Sequence, residues 1–243
     1  MQRPSAAAAA AAAVLIKLFP DAAADVQSTL TSYLAALPDG GTKSKGIELG
    51  QEVAAKILEA RANDGASAPD AYRPKAMSGV YIPTPITYGW ALATMTPFAL
   101  ASPSQFRAKP PPSLKSAEWA RDYDEIKVIG AKNGTKRTAR QTEDARFWLV
   151  GGPLAYDQLL RHIVIAKNMD LLESARFTAL ISVATADAVI AVFDAKYKYE
   201  FWRPITRFAM ATSMATRSPS ATPLGSRSTQ RRCTRNILAL TAF

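Results

Sequence analysis

Nine of the 16 prolines in this 243-residue chain fall between positions 69 and 112. Proline fixes φ, removes a backbone donor and pushes the preceding residue toward extended backbone, so neither a helix nor a central strand can run through this segment. Tyr72, Tyr81, Tyr88, Trp90, Phe98 and Phe106 lie among those prolines. Aromatics at that density belong against a core, so the segment is expected to be a packed, extended connection between helical regions.

The flanking regions have helical periodicity. GIELGQEVAAKILEARANDG sets Val53 and Ile57, and Ala54 and Leu58, at i, i+4 before an Asn-Asp-Gly stop, as an amphipathic bundle helix would. Asp21 is expected to cap the helix before it, which ends at Pro38-Asp39-Gly40-Gly41. SLKSAEWARDYDEIKVIG resumes the pattern, a basic loop near Asn133-Gly134 interrupts it, and Thr138 with Gln141 has capping-box spacing. After Gly151-Gly152-Pro153 comes a helix carrying His162. Asp170 and Glu173 then open a long helix through ARFTALISVATADAVIAVFDAKYKYEF, apolar on nearly every face and so expected at the centre of a bundle. The expected fold is all-α: a helical bundle, incomplete as it stands, with the long Pro-rich connection and an irregular C-terminal tail.

Sole residues of two types narrow the chemistry. One cysteine, Cys233, rules out an internal disulfide and a cysteine zinc cluster, and one histidine, His162, rules out any mechanism or metal site that needs two imidazoles. The opening MQRPSAAAAAAAAVLIKLFPDAAADV can be read as an export signal over residues 1–24, or as an Ala-rich helix capped by Ser5 with Pro20 beyond its end; Lys17 directly after the apolar run favours the helix. On that reading a cytoplasmic chain is expected, with export open if residues 1–24 act as a signal. Asp187 interrupts the most apolar stretch, Thr178 to Phe193, so no membrane span is expected.

Within KYKYEFWRP, Lys196 and Arg203 are seven residues apart and Pro204 ends the element. If the helix persists, the two cations share a face at about 10 Å along the axis. Both long side chains can then converge on one tetrahedral oxyanion, Arg as a planar fork and Lys as a point charge. As pattern alone, a solvated helix face is the favoured reading of the spacing.

Lys196 through Pro204, within DAKYKYEFWRPITRF, resembles the first signature of the superfamily of vanadium-dependent haloperoxidases and type 2 phosphatidic acid phosphatases. The Ala-rich opening, YLAALPDG, TPFALASPSQFRAKPPPSLKSAEWARDYDEIKVIG and RTARQTEDARFW extend the likeness to the haloperoxidase-like branch over about residues 6 to 207. The resemblance implies an all-helical bundle in which Lys196 and Arg203 bind vanadate or phosphate. It also implies a later Pro-Ser-Gly-His-like block and a Ser-Arg-x5-His block that supply the catalytic histidines. Neither occurs here and His162 matches neither position, so no catalytic residue and no metal ligand is assigned.

A change of composition accompanies that departure. Residues 201–243 hold seven Arg, no Lys and no acid, so seven of the ten net positive charges lie there. Read with permitted codons in a frame shifted by two bases, Met210 to Thr216 gives GDIDGN, and Gln230 to Thr241 gives TPMHPEYPCAH, both family-like. The expectation is therefore residues 1–207 as the N-terminal part of a haloperoxidase-like helical domain and 208–243 as an out-of-frame, disordered tail. Such a protein would bind a small anion without catalysis and would self-associate through apolar helix surface left exposed. The alternative, a basic module using the Arg-rich tail on nucleic acid or anionic lipid, is disfavoured because the arginines alternate with Ser, Thr and Pro rather than aromatics.

Overall fold

The structure is a computed structural model that describes residues 3–75, 77–83, 89–131, 134–149, 154–204 and 206–207. The tail 208–243 with Cys233, and Tyr88 and Asn133, lie outside the described residues. The fold is all-α: eight α-helices and no strand among the described residues, with a single antiparallel bridge between Val80 and Phe201. The chain forms two compact units, residues 1–66 with 163–184, and residues 67–162 with 185 onward.

In the first unit, α1 (Arg3–Leu18) packs on α3 (Gly41–Ala60) through small residues. Ser5, Ala9 and Ala12 are buried on α1, and Gly46, Gly50 and Ala54 on α3. A Cβ added at Gly50 would overlap the Ala6 carbonyl oxygen, so the two backbones approach as closely as only glycine allows. This corrects the expected face of α3: Ala54 is buried, but Val53 and Ile57 are exposed, because the contact selects for small volume rather than hydrophobicity. Ser5 is likewise not a cap. It is fully buried inside α1 and donates to the Lys43 carbonyl at 3.2 Å.

Leu18 ends α1, and Pro20–Ala22 forms a 3-10 turn leading into α2 (Ala23–Ala35). The residue at the α2 cap is Ala22, without a side-chain bond, so Asp21 sits in the turn and does not cap. Gly40, at φ 142°, redirects the chain into α3, while Lys43 Nζ donates to Asp39 at 2.8 Å and to the Leu37 carbonyl at 3.3 Å.

In the second unit the Pro-rich connection is packed as expected. Tyr72 and Tyr81 are among the most buried residues, and with Trp90, Tyr197 and Phe193 they form its aromatic core. The short α4 (Trp90–Thr94) begins after Gly89, whose left-handed φ of 74° and close approach to the Phe193 ring leave no room for a side chain. Ser116 caps α5 (Ala117–Ile129), accepting from the Trp119 amide at 3.1 Å. Arg137 closes the far end by donating to the carbonyls of Ile129 and Ala131 at 2.8 and 3.0 Å. The capping box before α6 (Ala139–Trp148) is present, with Thr138 Oγ1 accepting from Gln141 N at 3.1 Å and Gln141 Oε1 from Thr138 N at 2.9 Å. His162 is exposed on α7 (Leu154–Ala166).

Asp170 caps α8 (Leu171–Tyr199) by accepting from Leu172 N and Glu173 N at 2.7 and 2.9 Å, and Glu173 returns the bond to Asp170 N. The expected all-round burial of this helix does not occur. Asp187, Ile190 and Tyr197 are buried, whereas Leu180 and Val192 are 60% and 64% exposed. Among the described residues its second half is covered by the connection, including Trp90 and Ala93 of the short α4, which leaves Val192 exposed. By length and composition α8 is long and apolar enough to cross a membrane, a test that core helices also pass. The Asp187 carboxylate within it accepts from the backbone amides of Phe98, Ala99 and Leu100 at 2.6, 2.8 and 2.9 Å.

Candidate functional site

The C-terminal part of α8 is tied to the connection one turn at a time. Two turns beyond Asp187, Asp194 receives a two-pronged grip from Arg107, whose Nε and Nη2 each donate at 2.6 Å. This parallel pairing is the strongest form of ion-pair hydrogen bonding. Tyr199 donates to the Ala108 carbonyl at 2.5 Å. The cation expected at Lys196 therefore sits on a helix segment anchored on both sides.

The helix does not persist to Arg203. It ends at Tyr199, Glu200 adopts a left-handed φ of 45°, and Phe201 and Trp202 run extended beside Gly79 to Tyr81. Tyr81 N donates to the Glu200 carbonyl at 2.5 Å, and Trp202 N to that of Gly79 at 2.9 Å. The turn at Glu200 lets these residues pair with the connection, and that pairing outweighs the cost of a left-handed non-glycine residue. The shared helical face expected for Lys196 and Arg203 is thus replaced by another route to convergence.

Both cations come to the ring of Tyr81. Lys196 Nζ lies 4.9 Å from its centroid and Arg203 Cζ 5.4 Å. Lys196 Nζ is also 4.7 Å from the Phe193 ring and 4.9 Å from that of Tyr197. Burial first, and the Arg203 charge second, push the Lys196 amine down to about 8. Ring faces attract a cation, and three of them offset part of the lost hydration. Arg203 thus lies close enough to oppose the Lys196 charge, an opposition that an anion near both would relieve.

Behind this pair the aromatic core is dense. Tyr72 is 5.5 Å from Tyr81 and 5.1 Å from Tyr197 between ring centroids, and its hydroxyl donates to the Tyr81 carbonyl at 2.6 Å. Burial, then the charges of Glu200 and Tyr81, raise the Tyr72 phenol to about 12, so it stays protonated and keeps that bond. On the next turn of chain, Arg207 lies 5.4 to 5.8 Å from the rings of Trp119, Tyr123 and Trp202, which fastens the segment after Arg203 to α5.

Sequence reasoning singled out Lys196 and Arg203 and missed Tyr81, which joins them. The signal available was an aromatic in the connection, with nothing to say which helix it would meet. His162, exposed on α7, has no place in this arrangement of cations. Among the described residues no group of three or more His, Cys, Asp and Glu could hold a metal ion.

No protein-family model matches the chain. Over 124 residues it is 34% identical to vanadium chloroperoxidase of Curvularia inaequalis, in an alignment covering 42% of this chain and 20% of that protein. The chain thus spans about a fifth of the length of the relative it matches. That likeness supports a haloperoxidase-like relationship for a chain whose Lys196 and Arg203 converge on one tyrosine ring.

Proposed function

We propose that Lys196 and Arg203 form the oxyanion-binding part of a haloperoxidase-like or phosphatase-like site, taking vanadate or phosphate as ligand. The observation that carries this reading is their convergence on Tyr81 after the helix between them has ended. Holding two like charges together is unfavourable unless something opposes it, and a multiply charged oxyanion does so. Each charge-assisted hydrogen bond to that anion contributes about 1.5–3 kcal/mol.

The donor set fits the oxygens of vanadate, for which Lys196 would supply an ammonium and Arg203 a guanidinium fork. Bound vanadate supplies Lewis-acid activation of a peroxide; phosphate, of similar shape, would be held by the same donors. The chain's one imidazole, His162, is exposed on α7, so no histidine is assigned to acid–base work at this pair. On this reading the chain binds the anion without turning it over. Equilibrium dialysis against phosphate, run beside bromide oxidation with vanadate and peroxide and hydrolysis of an aryl phosphate, tests this. The expected result is saturable phosphate binding with both activities at the buffer rate. Turnover in either assay, lost in Lys196→Met, would show that the chain is catalytically complete.

A further inference from the structure

Among the described residues the Tyr81 hydroxyl is a buried donor that the fold leaves unexplained. Tyr81 is 2% exposed, and its backbone is fully used: the amide donates to Glu200, and the carbonyl accepts from Tyr72. Its phenol O–H has no hydrogen-bond partner among the described residues. A buried hydroxyl without a partner is costly, and native structures rarely keep one without a use. This one belongs to the ring on which Lys196 and Arg203 converge.

We infer that Tyr81 is a third ligand of the oxyanion site, its hydroxyl donating a hydrogen bond to an oxygen of the anion held by Lys196 and Arg203. The inference rests on the oxyanion reading above. The geometry assigns Tyr81 two tasks: the ring face holds both cations, and the edge offers the neutral donor that two cations lack. A tetrahedral oxyanion presents several acceptor oxygens, and a phenol can donate to one of them. The backbone bond to Glu200 fixes Tyr81 directly to the segment between the cations, so the donor is positioned before the anion arrives.

Tyr81→Phe keeps the ring and both cation contacts and removes only the hydroxyl. Calorimetric titration of the full chain with orthovanadate, in wild type, Tyr81→Phe and Lys196→Met, tests the assignment together with the thermal midpoint of each ligand-free protein. The expected outcome is an affinity loss of about tenfold in Tyr81→Phe, the size of one hydrogen bond to a charged acceptor. Its ligand-free midpoint should be unchanged or raised, because the buried hydroxyl removed has no partner among the described residues. Wild-type affinity in Tyr81→Phe, with binding lost in Lys196→Met, overturns the role of Tyr81 and leaves the oxyanion site standing. Absence of vanadate binding in the wild type overturns both. A lowered ligand-free midpoint in Tyr81→Phe would show that the hydroxyl serves the fold and would also overturn the inference.

Discussion

The carboxylate of Asp187 meets the amide of Ala99, 88 residues earlier in the chain, at 2.8 Å, and the same carboxylate also accepts from Phe98 N and Leu100 N. An acid inside the most apolar helix thereby becomes the acceptor for three successive amides of the connection.

Replacing that acid should accordingly destabilise the second unit. Asp187→Leu leaves three backbone donors without their acceptor, a loss of about 3–5 kcal/mol. Asp187→Asn retains one acceptor oxygen and should lose about 1–3 kcal/mol. Urea melts followed by tryptophan fluorescence separate the two, and equal stability of Asp187→Leu and wild type would show that these amides are satisfied in some other way.

The seam between α1 and α3 makes an opposite pair of expectations for two glycines in one helix. Gly50→Ala places a methyl against the Ala6 carbonyl and should cost about 1–3 kcal/mol through separation of the helices. Gly41→Ala meets nothing within 4 Å and should be neutral or slightly stabilising. Circular dichroism melts of the two variants would contradict the close-packed seam if both behaved alike.

Lys196 gives a pH dependence whose sign follows from its lowered value. Its amine titrates near 8 in the folded protein against an ordinary 10.5, so the unfolded chain binds more protons between those values. The contribution of this group to stability is constant below 8 and rises as pH climbs toward 10.5. Anion binding runs the other way, because loss of the ammonium removes a ligand. Sulfate, which does not titrate in this range, should bind progressively more weakly from pH 7 to 9.5 in wild type. Lys196→Arg, whose charge persists, should flatten that profile, and an equally steep decline in it would assign the dependence to another group.

Exposed apolar side chains on α8 imply association. Leu180 and Val192 are mostly exposed on a helix whose expected partners are not among the described residues. Sedimentation velocity across a tenfold concentration range should show a mass that grows with concentration, reduced in the Leu180→Lys, Val192→Lys double variant. A monomer at every concentration would contradict this.

Local rules in the sequence carried much of the fold. The Thr138–Gln141 box and the Asp170–Glu173 start of α8 follow from side chains that satisfy helix ends, and the prolines of 69–112 limit helix in that segment to the five residues of α4 among the described residues. Long-range geometry was not legible. The α3 face misled because hydrophobic periodicity marks Val53 and Ile57, while the contact was chosen by volume at Gly46, Gly50 and Ala54. The end of α8 misled because Tyr199, Glu200 and Phe201 carry no breaking signal; the break comes from pairing with Gly79 to Tyr81, over a hundred residues away in sequence. Lys196 and Arg203 were found by their motif, whereas Tyr81 needed the fold.

The central claim is that Lys196 and Arg203 bind one oxyanion together. The most direct measurement is a vanadium-51 NMR titration of dilute orthovanadate with wild type, Lys196→Met and Arg203→Leu. Wild type should broaden and shift the free resonance saturably, each single variant should weaken binding by about tenfold or more, and phosphate should compete. A free vanadate signal unchanged by wild-type protein, or unaffected by loss of either cation, would contradict the account.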